Sequence, residues 1–247
     1  MASAASQVIL HPAVSQGLKF GGTTTGRDKA YRSIQYLARF LGWYYLSRGD
    51  KQDAARWNAL KTHLGLARKL LRLGKPLEHL QAALRATLAT GPADEQITTI
   101  GRQLCYFGFL TYDALIWANT IKLINLSADY SSKITKYSYR LWATGIGLSL
   151  LNSVLKLRRL SKEYRRLRIS ARGEKALGQE VEIQTKLGVN KAARKAVRTQ
   201  FVVDVLDLSI PATALQLVQL NDGVVGILGL ISSLIGGKTH WEAVNKK

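Results

Sequence analysis

Residues 57–75 read WNALKTHLGLARKLLRLGK. Apolar residues recur every three or four positions, the period of a helix and not of a strand. On a helical wheel Leu60, Leu64, Ala67 and Leu71 line one edge of an apolar face, and Leu66, Leu70 and Leu73 extend it. Lys61, Arg68, Arg72 and Lys75 form a basic stripe opposite, and no acid lies between Lys61 and Lys75. A wide apolar arc backed by a wholly cationic face is the composition of a helix lying in an anionic membrane interface. A helix in a soluble core would mix glutamates into its exposed side. The candidate membrane-binding residues are therefore Leu60, Lys61, Leu64, Ala67, Arg68, Leu71, Arg72 and Lys75. Each cation near an anionic leaflet contributes about 1 kcal/mol, and each well-buried leucine roughly 1.5–3 kcal/mol. Ordering about 18 residues at about 1–2 kcal/mol each stands against them, so binding is expected to be reversible and salt-sensitive.

Working outward, the neighbouring segments share this period. The helix starts at either Asp50 or Asp53, both able to cap it, and runs to Leu73, where Gly74 and Pro76 punctuate the chain. A following helix over about 76–90 carries Leu77, Leu80, Leu84 and Leu88, and Gly91-Pro92 ends it. Upstream, Ile34, Leu37, Leu41, Tyr44 and Tyr45 predict a helix from Arg27 to about Leu46. Residues 1–26, with Pro12, Gly17, Gly21, Gly22 and three consecutive threonines, read as a loop-like start.

Downstream the chain turns apolar. Residues 103–126 are long enough to cross a bilayer, which takes about 20 residues, with Asp113 and Lys122 as internal charges needing a partner or water. Residues 137–157 begin with Tyr137, Tyr139 and Trp142, like an interfacial aromatic belt. Gly145, Ser149 and Ser153 follow at four-residue spacing, the pattern that lets helix backbones approach closely. A third apolar segment, 201–220, contains Asp204, Asp207 and Pro211. The fourth, 223–236, is either part of one span joined to 215–220 or a re-entrant hairpin. Between these halves, residues 156–198 hold fourteen cations against four acids (Glu163, Glu174, Glu180, Glu182), half of the formal net charge of +20.

The fold class that follows is all-α: a helical integral membrane protein with an N-terminal amphipathic region and apolar membrane helices. Its expected parts are a cytosolic region 1–95, a membrane-associated hairpin 96–157, a basic linker helix 158–198 and a C-terminal membrane segment with a short tail, 199–247.

The composition excludes several classes. A surplus of 36 Lys+Arg over 16 Asp+Glu favours polyanions, either nucleic acid or an anionic lipid surface. Mean hydropathy is −0.04, an average over sharply segregated apolar and basic stretches, which suits a membrane protein with basic flanks. The basic stretch has Tyr164 as its only aromatic residue and lacks the interleaved rings that stack on bases, so nucleic acid is not expected as a partner. Gly21-x4-Gly26 is followed by Arg27-Asp28 instead of Lys-Ser/Thr, so it is no phosphate-cradling loop. The four histidines lack metal-ligand spacing, and no Ser/His/Asp or Cys/His set suggests a nucleophile. Neither a cofactor nor a metal is expected. Asp204 and Asp207, on one helical face, read as caps or as partners of the basic stretch. Cys105 stands alone, compatible with a reducing compartment. Met1–His11 lacks the build of a secretory signal and the last residues are not a matrix address, so insertion from the cytosol is expected.

Several blocks resemble the peroxin eleven family of peroxisomal membrane proteins. His11-Pro12, Leu18-Lys19-Phe20, Thr25-Gly26-Arg27-Asp28-Lys29 with Arg32, Gln35-Tyr36 and Arg39, then Trp43-Tyr44-Tyr45, are similar to its opening motif. Ala67-Arg68-Lys69-x-x-Arg72-x-Gly74-Lys75 resembles its central signature, and Tyr112-Asp113-x-x-x-Trp117 the start of its first apolar segment. Leu71 departs from the aromatic residue found in many relatives and keeps the face apolar. The resemblance implies a non-enzymatic peroxisomal membrane protein that elongates and divides peroxisomes through an inserted amphipathic helix and homo-oligomers. It further implies a dynamin-related GTPase, a tail-anchored fission adaptor and a peroxisomal membrane-protein import receptor as partners. The alternative is a pore for small metabolites, with Asp113, Lys122, Asp204, Asp207 and Asp222 turned toward water. The wedge adds a physical reason: a helix lodged in one leaflet expands that leaflet and favours positive curvature.

Overall fold

Among residues 4–173 and 177–246, which the computed structural model describes, every regular element is an α-helix. Two short ones open the chain, α1 (Ala4–Ile9) and α2 (Pro12–Gly22). This corrects the loop expected over 1–26. Pro12 occupies the first turn of α2, where its missing N–H costs nothing, and the His11 side chain accepts from the Ala13 N–H. The threonine triplet is a helix junction. Thr23 Oγ1 donates to the Phe20 carbonyl (2.8 Å) and accepts from the Gly26 N–H (2.9 Å), closing α2 and capping α3 (Thr24–Ser47) together. A Cβ at Gly26 would lie 2.0 Å from the Phe20 carbonyl oxygen, so only glycine permits so tight a junction.

Asp50 is the cap of α4 (Lys51–Leu71), accepting from the Asp53 N–H, while Asp53 pairs with Arg56. Pro76 lies in the first turn of α5 (Lys75–Leu88). The apolar segment 103–126 is not a single helix: α6 (Ala93–Thr120) starts earlier and stops at Thr120. Lys122 adopts φ +64°, and Asn119 Oδ1 accepts from the Leu126 N–H, so 121–126 form the turn into α7 (Ala128–Gly173). The basic stretch is divided between the end of α7 and the start of α8 (Leu177–Ala214); Glu174 and Lys175 lie outside the described residues. At the C-terminus, Asn221 caps one helix, α9 (Asp222–Val244), and Leu215–Leu220 belong to the preceding turn. Among the described residues α9 is the one helix long and apolar enough to cross a bilayer. The expected spans 103–126 and 137–157 fall short of that apolarity.

The helices pack in sequence, α3 with α4, α5 with α6, α6 with α7, α7 with α8 and α8 with α9, and α9 returns to close on α3. Gly101 faces Leu148 and Gly108 faces Leu141, so α6 and α7 run antiparallel. The core sits where α3, α7, α8 and α9 meet: Tyr36, Ile210 and Val225 are buried there against Trp142, Leu220 and Leu230. Trp142 also stacks on Phe109 with ring centroids 5.0 Å apart, so it belongs to the core and not to an interfacial belt.

Beside this apolar core the bundle buries charges and exposes leucines. Arg32, Arg68, Glu95, Asp113 and Asp204 are buried, whereas Leu77, Leu88, Ile97, Leu123 and Leu217 are largely exposed. The buried charges are paired within the chain, and the exposed leucines are stable where they face lipid. The protein is accordingly expected to stay with membranes through an alkaline carbonate wash. Quantitative release into the supernatant would contradict an embedded bundle.

Candidate membrane-interaction site

The two faces of α4 meet very different surroundings. On the apolar side Leu60, Leu70 and Leu73 are exposed, and Leu64, Ala67 and Leu71 are half-buried. The cationic side is not free. Arg68 is buried; its Nε donates to Asp28 Oδ1 (2.9 Å) and its Nη1 to Gln35 Oε1 (2.7 Å), both on α3. Arg72 Nη2 donates to Asp113 Oδ2 on α6 (2.7 Å), and Lys69 pairs with the other oxygen of the same carboxylate. Lys61 reaches Asp222 at the start of α9 (3.6 Å), which Arg39 also holds (2.6 Å), and Lys75 pairs with Glu78 (2.7 Å). The stripe that the sequence sets toward lipid headgroups is thus engaged by four acids of the chain itself.

Electrostatics keep these pairs charged. Burial alone would raise the Asp28 carboxyl, but Arg68 and Arg72 outweigh it and hold it below the ordinary carboxylate value. Burial, together with neighbouring Arg72, lowers the Arg68 guanidinium.

Deeper in the bundle, Arg32 of α3 and Asp207 of α8 form a buried pair at 2.5 Å. Asp204 accepts from Ser149 (2.6 Å) and Gln200 (2.8 Å). Neither carboxylate partners the basic stretch, which corrects that expectation: the facing groups come from α3, α7 and α8 itself. The small-residue triple of α7 points inward. A Cβ on Gly145 would meet the Tyr106 ring and Cys105 Cβ at 3.0–3.2 Å, Ser149 holds Asp204, and Ser153 is buried. Asn152, between them, donates to the Glu95 carbonyl and to Thr98, and Glu95 takes a forked pair from Arg159 (2.6 and 3.1 Å).

Residues 14–241 match the family model described as Peroxisomal biogenesis factor 11 (PEX11). The chain belongs to the Peroxisomal biogenesis factor 11 family. Peroxisomal membrane protein PMP30B of Candida boidinii is 28% identical, the match covering 96% of this chain and 97% of that protein. Peroxisomal membrane protein PMP27 of Saccharomyces cerevisiae is 26% identical over 96% and 98% of the two chains, and human Peroxisomal membrane protein 11B is 24% identical over 88% and 93%. No solved structure gives a significant match. Membership sets the chain in the peroxisomal membrane, among biogenesis factors with a role in peroxisome proliferation and not in a known enzyme family.

Two features of this Peroxisomal biogenesis factor 11 family member escaped sequence reasoning. The first is the seam between α3 and α9: a Cβ on Gly223, Gly226 or Gly229 would run into Trp43, Phe40 or Tyr36, respectively. Glycines at every third position, set against aromatics at i, i+4 and i+7, are the signal that could have found it. The second is the outward setting of the α5 leucines, whose helix the sequence predicts but whose exposure it does not: Leu77, Leu84 and Leu88 are 66%, 59% and 84% exposed, further out than those of α4. Their spacing of seven and four marks one stripe of a helix.

Proposed function

We propose that this protein drives peroxisome elongation and division by lodging the leucine faces of α4 and α5 in one leaflet of the peroxisomal membrane, in homo-oligomers that spread the curvature. The carrying observation is the outward leucine surface Leu60, Leu70, Leu73, Leu77, Leu84 and Leu88 along α4, α5 and the turn between them, while Arg68 and Arg72 are held by Asp28 and Asp113. Full burial of a leucine is worth roughly 1.5–3 kcal/mol, so six partly exposed ones suffice to anchor a wedge without any headgroup contact. An anionic phospholipid bilayer is the substrate of this action. The dynamin-related GTPase, its tail-anchored adaptor and the membrane-protein import receptor belong to the same reading, which rests there on family likeness alone. A metabolite pore is less well supported, because Asp113, Asp204, Asp207 and Asp222, which a pore would turn to water, all have partners on neighbouring side chains.

The test is the full-length Leu70→Glu/Leu73→Glu variant, changed at exposed positions that flank the Lys69 and Arg72 ion pairs but leave every paired residue in place. It is expected to remain carbonate-resistant in peroxisomes, to lose tubulation of reconstituted liposomes, and to leave peroxisomes few and large. Normal tubulation and normal peroxisome number in that variant would remove the wedge. Normal number with slowed metabolite flux would favour a pore.

A further inference from the structure

We propose that Asp28 and Asp113 form an acid seat that competes with membrane phosphate groups for Arg68, Lys69 and Arg72, so that an anionic lipid surface frees the C-terminal half of α4. This deepens the wedge reading and rests on it.

Three cations within five residues of α4 converge on two carboxylates. Arg68 divides its guanidinium between Asp28 and neutral Gln35, while Lys69 and Arg72 share the single carboxylate of Asp113. The cluster is therefore left with one surplus positive charge, to which Lys29 and Arg32, near it on other sides of α3, add. Arg32 is already committed to Asp207. An added phosphate would be attracted, and each cation it takes from a carboxylate weakens the seat of α4. The seat is reachable: the side chains of Lys69 and Arg72 keep 25% and 22% exposure. A polar cavity of about 420 Å³ opens at the same end of α4, lined by Thr23, Thr24, Thr25, Leu71, Gly74 and the paired Lys75 and Glu78, whose charges cancel. Asp28 follows Thr24 by one helical turn and Arg72 follows Leu71 directly, so the cavity opens at the end of α4 that carries the seat.

The contacts also set what release does. Along α4, the other ion pair to the bundle is the longer one from Lys61 to Asp222. Freed at Arg68, Lys69 and Arg72, the helix keeps its N-terminal anchor and swings from it. Its half-buried Leu64 and Leu71 then become available to lipid beside Leu70 and Leu73. Anionic lipid would thus act as the trigger for insertion more than as its glue.

Hydrogen exchange of α4 amides in the reconstituted full-length protein tests this. Three arms are compared: phosphatidylcholine vesicles, the same vesicles with phosphatidylserine, and phosphatidylcholine vesicles in inorganic phosphate at matched phosphate concentration. Phosphatidylserine is expected to speed exchange over residues 64–71 about tenfold, equivalent to lowering the opening free energy by about 1.4 kcal/mol, while α6 and α7 stay protected. Asp113→Asn is expected to show that faster exchange already in phosphatidylcholine, with tubulation no longer dependent on phosphatidylserine. Unchanged or slower α4 exchange in wild type on phosphatidylserine overturns the seat, whatever the variant does. Equal release by inorganic phosphate overturns the membrane as trigger. The two readings fail separately: exchange that responds to lipid while Leu70→Glu/Leu73→Glu still tubulates removes the wedge alone. Lipid-insensitive exchange with tubulation lost in that variant removes the seat alone.

Discussion

Gly226→Leu is expected to unseat α9 from α3 and to lower the thermal midpoint of the purified protein in mild detergent by about 6–12 °C. A Cβ at this position would lie 2.7 Å from the backbone nitrogen of Phe40, 2.9 Å from its Cβ and 3.0 Å from its Cα. The nitrogen and Cα belong to the main chain of a 24-residue helix and the Cβ is fixed to it, so they cannot step aside as the end of a flexible side chain would. Overpacking a filled interface costs about 1–3 kcal/mol, and leucine adds three carbons beyond the Cβ, which puts the cost at the upper end. For a chain of this length each kcal/mol shifts the midpoint by roughly 2–4 °C. Gly147→Leu is the control, since nothing lies within 4 Å of a Cβ there, and its midpoint should stay near that of wild type. If Gly226→Leu melts with the control, α9 is not held on α3 by this seam. The consequence reaches the membrane site, because Asp222 at the start of α9 is what Arg39 and Lys61 hold.

The helices of this fold were readable because their apolar residues keep a 3.6-residue period and because Asp50, Pro76, Gly91 and Pro92 punctuate them. The misreadings have local physical causes. Thr23 to Thr25 look like a loop until Thr23 is seen capping two helices at once, a role that depends on where Phe20 ends α2. The turn at 121–126 is apolar in composition, and only the left-handed Lys122 and the Asn119 cap stop the helix. The charge pattern of α4 was plain, but its partners were not. Arg68 meets an acid 40 residues away, Arg32 one 175 away and Arg39 one 183 away, and no periodicity encodes such distances. Lipid phosphate and buried carboxylates ask the same thing of an arginine, so a cationic stripe reads alike in both settings. What separates them is the tertiary fold that brings Asp28, Asp113 and Asp222 to one helix.

Asp207→Leu is expected to be the most damaging single change at a charged residue, with a loss of about 3–5 kcal/mol and a midpoint about 6–20 °C lower. The Arg32–Asp207 pair is 2.5 Å long with side chains 8% and 14% exposed, and it ties α3 to α8. Burial alone would lower the Arg32 pKa; the Asp207 charge more than reverses that and raises it, so the guanidinium cannot escape by losing its proton. Its remaining neighbours offer little compensation, namely the face of Tyr36 (5.4 Å) and Asp28, which is already bound to Arg68. Without Asp207 a full positive charge is therefore stranded in the interior. Removing both charges tells a different story, because a buried pair replaced by apolar groups of similar volume is often neutral. Arg32→Leu/Asp207→Leu is expected to melt within a few degrees of wild type, whereas each single variant melts far below it. A double variant as unstable as Asp207→Leu would mean that Asp207 acts through something other than Arg32. In cells the contrast should appear as abundance, since a loss of 1–2 kcal/mol already changes steady-state levels several-fold. The single variant should be depleted from peroxisomes, and the double variant should be present and still elongate them. Elongation by the double variant would separate this pair, which holds α8 to α3, from the leucine faces of α4 and α5 that do the membrane work.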